Sequence, residues 1–215
     1  RCIMGRGSSK AGGGGAGPFG GGMENSNSTA TVKSSHPLTD EIGKKGGGTF
    51  ANEIMNTRDA FEREYGPAVK GMNLYAATFN ERGVLGAYGG DTLYMNQRYI
   101  RNANLTQAMQ ASAASGFHPS IGDKTGAEAV ASHEIGHRLG EIAAQKAGIT
   151  QRDIVARAAK RAGVKTENMA GYISKYARSN YAETIAEASC DVYCNGSKAS
   201  KVSKAIMAEV KSILK

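Results

Sequence analysis

The sequence predicts an α+β domain with a small, mostly antiparallel sheet followed by a helical C-terminal half. Three short segments with strand character follow one another at residues 73–79, 83–88 and 92–100. The residues that separate them are rich in glycine, asparagine and aspartate, and turns of this composition join neighbouring strands. After residue 104 the apolar residues recur at the three- to four-residue spacing of helices, which indicates that the sheet precedes a helical region.

Each remaining element has its own local signal. The segment 92–100 alternates polar and apolar side chains, which is typical of a strand at a sheet edge. The first predicted helix ends ahead of Gly66, and the longest begins with a capping box at Thr125 and Glu128 and ends at Gly148. The predicted helices span residues 49–64, 104–115, 125–147, 150–162, 180–195 and 199–214.

Residues 1–48 differ in composition from the rest and are predicted to form a disordered tail. They contain 14 of the 29 glycines, and such a segment buries too little apolar surface to offset the entropy of ordering it. His36 lies in this tail without an evident role, and Met4 is the expected start of the reading frame. Residues 49–215 are long enough to fold as one compact domain.

The formal net charge is +8, and much of it lies on the helices after residue 150. We interpret these lysines and arginines as a solvated face, because they form no compact basic run and are not interleaved with aromatic residues. Binding to nucleic acid or to another acidic partner is the alternative. The sequence does not predict an oligomeric state.

Three cysteines, Cys2, Cys190 and Cys194, are too few for a disulfide framework. We predict free or buried thiols in a reducing compartment. No apolar run approaches the roughly 18 residues of a transmembrane helix, so no membrane partner is expected. Glycines stand where a secretory signal peptide would need an apolar segment.

Residues 133–137 have the sequence HEIGH, in the middle of the longest predicted helix. His133 and His137 stand one turn apart on the same face, so their imidazoles can bind one metal ion. Glu134 lies beside that face and can reach a water molecule on the metal. This spacing is the signature of zinc hydrolases. Packing of the two histidines in the core is the alternative.

A catalytic zinc site needs a third protein ligand, and the candidates are Glu183 and Glu187. These carboxylates are four residues apart on one helical face, where like charges repel unless a cation lies nearby. One could bind the metal while the other accepts a hydrogen bond from a ligand histidine. A solvated acidic face is the alternative, although Ala182, Ala186 and Ala188 indicate close helix packing.

The HEIGH motif together with YARSNYAETIAEA at residues 176–188 resembles the gluzincin metallopeptidases. It is most similar to catalytic domains of the anthrax lethal factor type and to metallopeptidase domains of phage and prophage structural proteins. The resemblance implies that residues 49–215 form a zincin-like domain, in which the sheet packs on the active-site helix and the helical half carries the third ligand. It also implies that this domain hydrolyses a peptide or protein substrate.

The same resemblance implies a site with one Zn²⁺ per chain. The metal would be held by His133, His137 and Glu183, and Glu134 would act as the base. Tyr176 would stabilise the oxyanion of the tetrahedral intermediate.

Two further roles follow from the resemblance. Glu187 would accept a hydrogen bond from a ligand histidine. The strand at residues 92–100 would be the edge to which an extended peptide adds, with Tyr94, Met95 and Asn96 beside the substrate.

Two other functions remain open from the sequence. One is a non-enzymatic, zinc-stabilised module of a phage or prophage protein, in which His118 or Cys190 closes the site as a fourth ligand. The other is an immunity-type or regulatory domain that keeps the motif without activity. As a loop histidine, His118 is otherwise expected to make structural hydrogen bonds, and a group beside the substrate is the alternative. The expected location is cytoplasmic, or in a virion or delivered by one.

Overall fold

The computed structural model of the chain describes residues 2–5, 30–99 and 102–215. In these residues the chain has the predicted α+β architecture. The strands are β1 (Cys2–Gly5), β2 (Val32–Pro37), β3 (Asn73–Phe79), β4 (Val84–Gly89) and β5 (Thr92–Asn96). The helices are α1 (Gly47–Tyr65), α2 (Asn102–Ala114), α3 (Gly126–Ala147), α4 (Gln151–Ala162), α5 (Tyr181–Asn195) and α6 (Lys201–Leu214).

The five strands form one mixed sheet in the order β1-β4-β5-β3-β2. The pairs β1–β4, β4–β5 and β3–β2 are antiparallel. The strands β3 and β5 are parallel, with Asn73 opposite Thr92. Strand β4, which lies between β3 and β5 in the sequence, therefore lies outside β5 in the sheet.

The prediction that residues 92–100 form an edge strand is wrong. Strand β5 ends at Asn96 and has β4 on one side and β3 on the other. Met95 is buried in the main core, and Tyr94 is half-buried. The side-chain amide of Asn96 donates to the carbonyl oxygen of Val84 over 2.6 Å. An alternating pattern shows which side chains are polar, but not whether they contact water or hydrogen-bond within the sheet. The edge-strand prediction assumed contact with water.

Part of the segment predicted to be disordered is folded. Residues 2–5 form β1, and residues 30–48 contain β2 and the start of α1, whereas residues 6–29 lie outside the described residues. Strand β2 pairs with β3, and Leu38 after it is only 1% exposed in the main core. A few apolar residues thus anchor a segment whose average composition is polar.

A buried carboxylate also holds this segment in place. Glu41 is fully buried, and its Oε1 interacts with the imidazole of His36 and, over 2.7 Å, with the ammonium group of Lys44. Burial would raise the pKa of Glu41, but Lys44 and His36 lower it below its ordinary value. His36, for which the sequence indicated no role, is part of this structural cluster.

Helix α3 is the central element, and strands β1, β4 and β5 and helices α1, α2, α5 and α6 all contact it. The predicted capping box of Thr125 and Glu128 is present, and Gly148 ends the helix in the left-handed conformation. Ile135 on one side and His133 on the other are both fully buried. The helix is therefore enclosed on both sides, as its apolar pattern predicts.

Close contact between α3 and α5 depends on a glycine. A Cβ atom placed on Gly136 would lie 2.6 Å from the Cβ of Ser189 and 2.9 Å from the Cα of Ala186. Only glycine permits the two backbones to approach so closely. This contact brings the histidine face of α3 against the glutamate face of α5.

None of the helices in the described part of the chain combines the length and the apolar character needed to cross a bilayer.

Candidate metal centre

Three predicted ligands meet between α3 and α5. His133 Nε2 lies 3.2 Å from His137 Nε2 and 3.1 Å from Glu183 Oε2, and His137 Nε2 lies 3.4 Å from the same oxygen. Ligand atoms about 2.0–2.1 Å from a tetrahedral zinc ion are about 3.3 Å apart. The three atoms therefore have the spacing of three corners of a tetrahedral metal site.

In its neutral form, His133 presents a hydrogen-bond acceptor to this triangle. His133 Nδ1 lies 2.7 Å from Glu187 Oε1, and because a carboxylate only accepts, this nitrogen carries the hydrogen. The Nε2 of the neutral ring then presents a lone pair to His137 and Glu183. The three side chains are 0%, 2% and 5% exposed, so water does not screen them. The lone pairs of the nitrogen atoms and the carboxylate oxygen repel one another, and a cation among them removes this repulsion. The buried group could therefore bind a metal ion.

In the metal-free protein a proton supplies that positive charge. Burial would lower the pKa of His133, but Glu183 and Glu187 outweigh it and raise the pKa to about 9. Burial would likewise raise the pKa of Glu183, but the two histidines hold it far below its ordinary range. The site thus favours one positive charge, whether from a proton or from a metal.

The third ligand is fixed by the start of α5. The side chain of Asn180 caps this helix by accepting a hydrogen bond from the backbone N–H of Glu183 over 2.9 Å. The hydroxyl of Thr184 donates to the carbonyl oxygen of Ala177 over 2.8 Å. These bonds set the first turn of α5, and Glu183 projects from it towards α3.

Glu187 lies behind the ligands and is fully buried. Besides His133, the hydroxyl of Ser174 donates to its Oε2 over 2.7 Å, and His118 Nδ1 lies 3.1 Å from each of its oxygens. Burial would raise the pKa of Glu187, but His118 and then His133 lower it to about 2. The predicted hydrogen bond to a ligand histidine is therefore made by an ionised carboxylate.

Glu134 is fully buried on α3, where strand β4 passes close to it. A Cβ atom on Gly86 of β4 would lie 3.4 Å from Glu134 Cγ and 2.7 Å from Val130 Cγ1. A glycine at this position lets the strand lie directly against the helix. Strand β4 therefore carries a residue against Glu134.

Tyr176 stands over the ligand histidines. Its ring stacks on that of His133 with centroids 5.9 Å apart, and its hydroxyl donates to Glu183 Oε1 over 3.3 Å. Burial raises its pKa far above the ordinary value, and the charges of Glu183 and Glu134 raise it further. The hydroxyl therefore stays protonated and available as a hydrogen-bond donor.

Sequence reasoning found most of this site but not all of it. It predicted that His118 makes structural hydrogen bonds, and this is confirmed by its contacts with Glu187. It also offered His118 as a fourth ligand, but His118 lies outside the three-residue group. It missed Ser174 and Phe117 altogether. A single serine or phenylalanine in a connecting segment carries no periodic or motif signal, so nothing in the sequence pointed to them.

Cys190 and Cys194 are not part of the centre. Cys190 and Cys194 are buried free thiols on α5 with their sulfur atoms 4.0 Å apart. The neighbouring thiol and burial raise the pKa of Cys190 well above its ordinary value. Both are therefore packing residues, as predicted.

A cleft of about 380 Å³ lies beside the first turn of α5. Arg178, Tyr181 and Thr184 are among the residues that line it, and the three ligands are not. It is a neighbour of the centre and not its entrance.

Comparisons of this chain with protein-family models, with curated proteins and with solved structures found no match.

Proposed function

We propose that this chain is a zinc-dependent peptidase of the gluzincin type. The observation that carries the proposal is the triangle of His133 Nε2, His137 Nε2 and Glu183 Oε2, with edges of 3.1–3.4 Å. Two imidazole nitrogens and one carboxylate oxygen are ligands that zinc commonly takes, and the distances between them are those of a tetrahedral zinc site. The resemblance of the two motifs to gluzincins, and a small sheet packed on the HEIGH helix, support the same class.

Zinc in this site would polarise the scissile carbonyl and lower the pKa of a water molecule towards neutrality. Glu134 takes the proton of the attacking water and delivers it to the leaving amine. The Tyr176 hydroxyl donates a hydrogen bond to the oxyanion that develops on the carbonyl oxygen when water attacks the carbonyl carbon. Glu187 holds His133 in the tautomer whose Nε2 is a ligand.

The substrate would be an extended peptide that adds to the sheet beside Glu134. Because Gly86 places β4 against the base, the edge of β4 that faces away from β5 replaces β5 as the proposed binding edge. In this structure β1 pairs with that edge. Main-chain hydrogen bonds to such an edge supply affinity with little demand on sequence.

A second candidate function is a metal-stabilised, non-enzymatic module. The observation that favours it is burial, since no ligand is more than 5% exposed. Structural zinc sites have four protein ligands, whereas the group found in the described residues has three. The three-ligand set favours the peptidase.

The first experiment measures zinc in the purified full chain by elemental mass spectrometry, with Glu183→Ala and Glu41→Ala beside it. We expect close to one zinc per chain, lost in Glu183→Ala and retained in Glu41→Ala. Hydrolysis of a peptide library by the zinc-loaded protein, abolished in Glu134→Gln, then supports the peptidase. Zinc bound without hydrolysis of any peptide supports the structural module, and no zinc in the unmodified chain refutes both.

A further inference from the structure

His118 touches two parts of the centre at once. It is 1% exposed, and its Nδ1 lies 3.1 Å from each oxygen of Glu187. Its ring makes an edge contact with the ring of Tyr176 at 5.1 Å between centroids. His118 lies in the segment that connects α2 to α3, whereas Glu187 belongs to α5.

The segment that carries His118 is tied to the segment that carries Tyr176. The backbone N–H of Lys175 donates to the carbonyl oxygen of Gly116 over 2.9 Å, and that of Tyr176 donates to the carbonyl oxygen of Phe117 over 3.0 Å. The ring of Phe117 stacks on that of Tyr176 at 5.4 Å. These contacts fix the position of the His118 imidazole from both sides.

The carboxylate of Glu187 accepts hydrogen bonds from three side chains. His133 takes Oε1, Ser174 takes Oε2, and His118 lies at equal distance from both oxygens. A buried carboxylate with fewer donors is costly to keep ionised, and it is less constrained in its rotation. The central donor holds the plane of this carboxylate so that Oε1 faces His133.

We propose that His118 is a positioning residue for the metal centre. Its Nδ1–H orients Glu187, which fixes the hydrogen of His133 on Nδ1 and leaves Nε2 as a metal ligand. The effect on hydrolysis rests on the proposed function, whereas the effect on metal affinity needs only the metal site. Partners that orient a ligand commonly contribute 10- to 100-fold in metal affinity.

The test compares variants that keep or remove the donor. His118→Asn places an amide N–H near the position of Nδ1, whereas His118→Leu keeps volume without a donor, and His118→Gln moves the amide away from that position. Zinc affinity is measured in the full chain by competition with a chelating indicator. We expect His118→Leu and His118→Gln to weaken zinc binding at least about tenfold, and we expect His118→Asn to keep most of the affinity of the unmodified chain.

The outcomes separate this inference from the proposed function. The positioning role is overturned if His118→Leu binds zinc like the unmodified chain, because a packing role would favour that variant. It is also overturned if His118→Asn binds zinc no better than His118→Gln. The comparison of His118→Asn with His118→Gln decides the question if His118→Leu does not fold. His36→Leu, which removes a histidine from the Glu41 cluster, is the control and should not change zinc affinity. A chain that binds no zinc refutes the proposed function instead.

The pairing of β1 with β4 is a separate observation. Residues 2–5 run antiparallel along the outer edge of β4, with Met4 opposite Gly86 and Ile3 opposite Ala87. Gly86 is the residue that lies against Glu134, and β1 itself contacts α3. The backbone of β1 therefore occupies the edge that the proposed substrate would need.

We infer that residues 2–5 compete with an extended peptide for this edge, an inference that rests on the proposed function. Strand addition relies on main-chain hydrogen bonds, so one extended segment can replace another. Proline donates no hydrogen bond and disrupts a ladder. The double variant Ile3→Pro/Met4→Pro should release the edge and lower KM for a peptide several-fold without changing kcat.

Hydrogen exchange provides a readout that does not depend on activity. The amides of β4 should exchange faster in the double variant than in the unmodified chain. Ile3→Ala/Met4→Ala keeps both backbone N–H groups and should change exchange and KM far less. An unchanged KM in an active double variant overturns the competition. Faster exchange in a chain that hydrolyses no peptide refutes the proposed function and, with it, the competition for substrate.

Discussion

Two buried clusters in this molecule pair histidine with glutamate, and they differ in what neutralises them. In the first, Glu41 interacts with His36 and with the fixed ammonium group of Lys44. In the second, Glu183 and Glu187 face three histidines, and no lysine or arginine of the described ranges pairs with either carboxylate. The first cluster carries its own cation, whereas the second is complete only with a proton or a metal.

The direction of the lone pairs is the other difference. In the Glu41 cluster the imidazole and the ammonium group both point at one carboxylate oxygen. In the second cluster the Nε2 atoms of His133 and His137 face each other and Glu183 Oε2 within 3.4 Å. A buried histidine–glutamate pair thus indicates a metal site only when several atoms that can bind one cation, a proton or a metal ion, converge on one point.

The largest effect should come from Glu183→Gln, which keeps the shape but removes the anionic ligand. We expect zinc affinity to fall by more than the 10- to 100-fold associated with partners behind a ligand. Glu41→Gln should leave zinc binding unchanged. Titration with zinc in the presence of a chelating indicator measures both, and equal losses in the two variants would erase the distinction between the clusters.

The next effect separates chemistry from metal binding. Glu134→Gln should keep one zinc per chain and lower kcat by about 10²–10⁴-fold, because an amide cannot accept the proton of the attacking water. Steady-state kinetics beside elemental analysis measures this. Normal hydrolysis by the variant would remove Glu134 from the role of base.

The pH dependence of zinc binding should follow the proton that the metal displaces. Because the pKa of His133 is raised to about 9, apparent zinc affinity should rise about tenfold per pH unit up to pH 9 and then level off. In the metal-free protein a rise in pH has the opposite effect, because it removes the proton that stabilises the fold. The stability that the protonated His133 contributes is fully present below its unfolded pKa of about 6.5 and is lost as pH rises through 9.

The Glu41 cluster should respond at the opposite end of the pH scale. The pKa of Glu41 is lowered, so its contribution to stability is present above its unfolded value of about 4.3 and is lost as pH falls further. Urea unfolding of the metal-free protein between pH 3 and 10 measures both trends, with His133→Asn and Glu41→Gln as the matched variants.

A smaller effect concerns the helix contact that creates the metal centre. Gly136→Ala should destabilise the fold by about 1–3 kcal/mol through overpacking, despite a gain in helix propensity of up to about 1 kcal/mol. It should also weaken zinc binding, because α3 and α5 must separate. At Gly43 an added Cβ meets nothing within 4 Å, so Gly43→Ala is the control. Urea unfolding and zinc titration should detect no loss in the control.

Sequence reasoning worked best where one segment carries the whole signal. The six predicted helices and the strand at residues 73–79 occur close to their predicted bounds, because capping boxes and helical periodicity are local. The predictions that β5 is an edge strand and that residues 30–48 are disordered are wrong. Both features depend on pairing with segments that are distant in the sequence. A low average hydropathy could not show that Leu38 and Glu41 are buried.

The sequence by itself determined the local chemistry: which residues share a helical face, where the helices begin and end, and that His133 and His137 lie one turn apart. The spacing of Glu183 and Glu187 left open which carboxylate meets them. The resemblance implied Glu183, and only the tertiary structure decided it. Glu183 and Glu187 are equivalent by spacing, and the close contact at Gly136 places one at the Nε2 atoms and the other at Nδ1 of His133. The physical reason is that a metal site needs atoms to converge within a few ångströms, and the angle and distance between helices set that convergence.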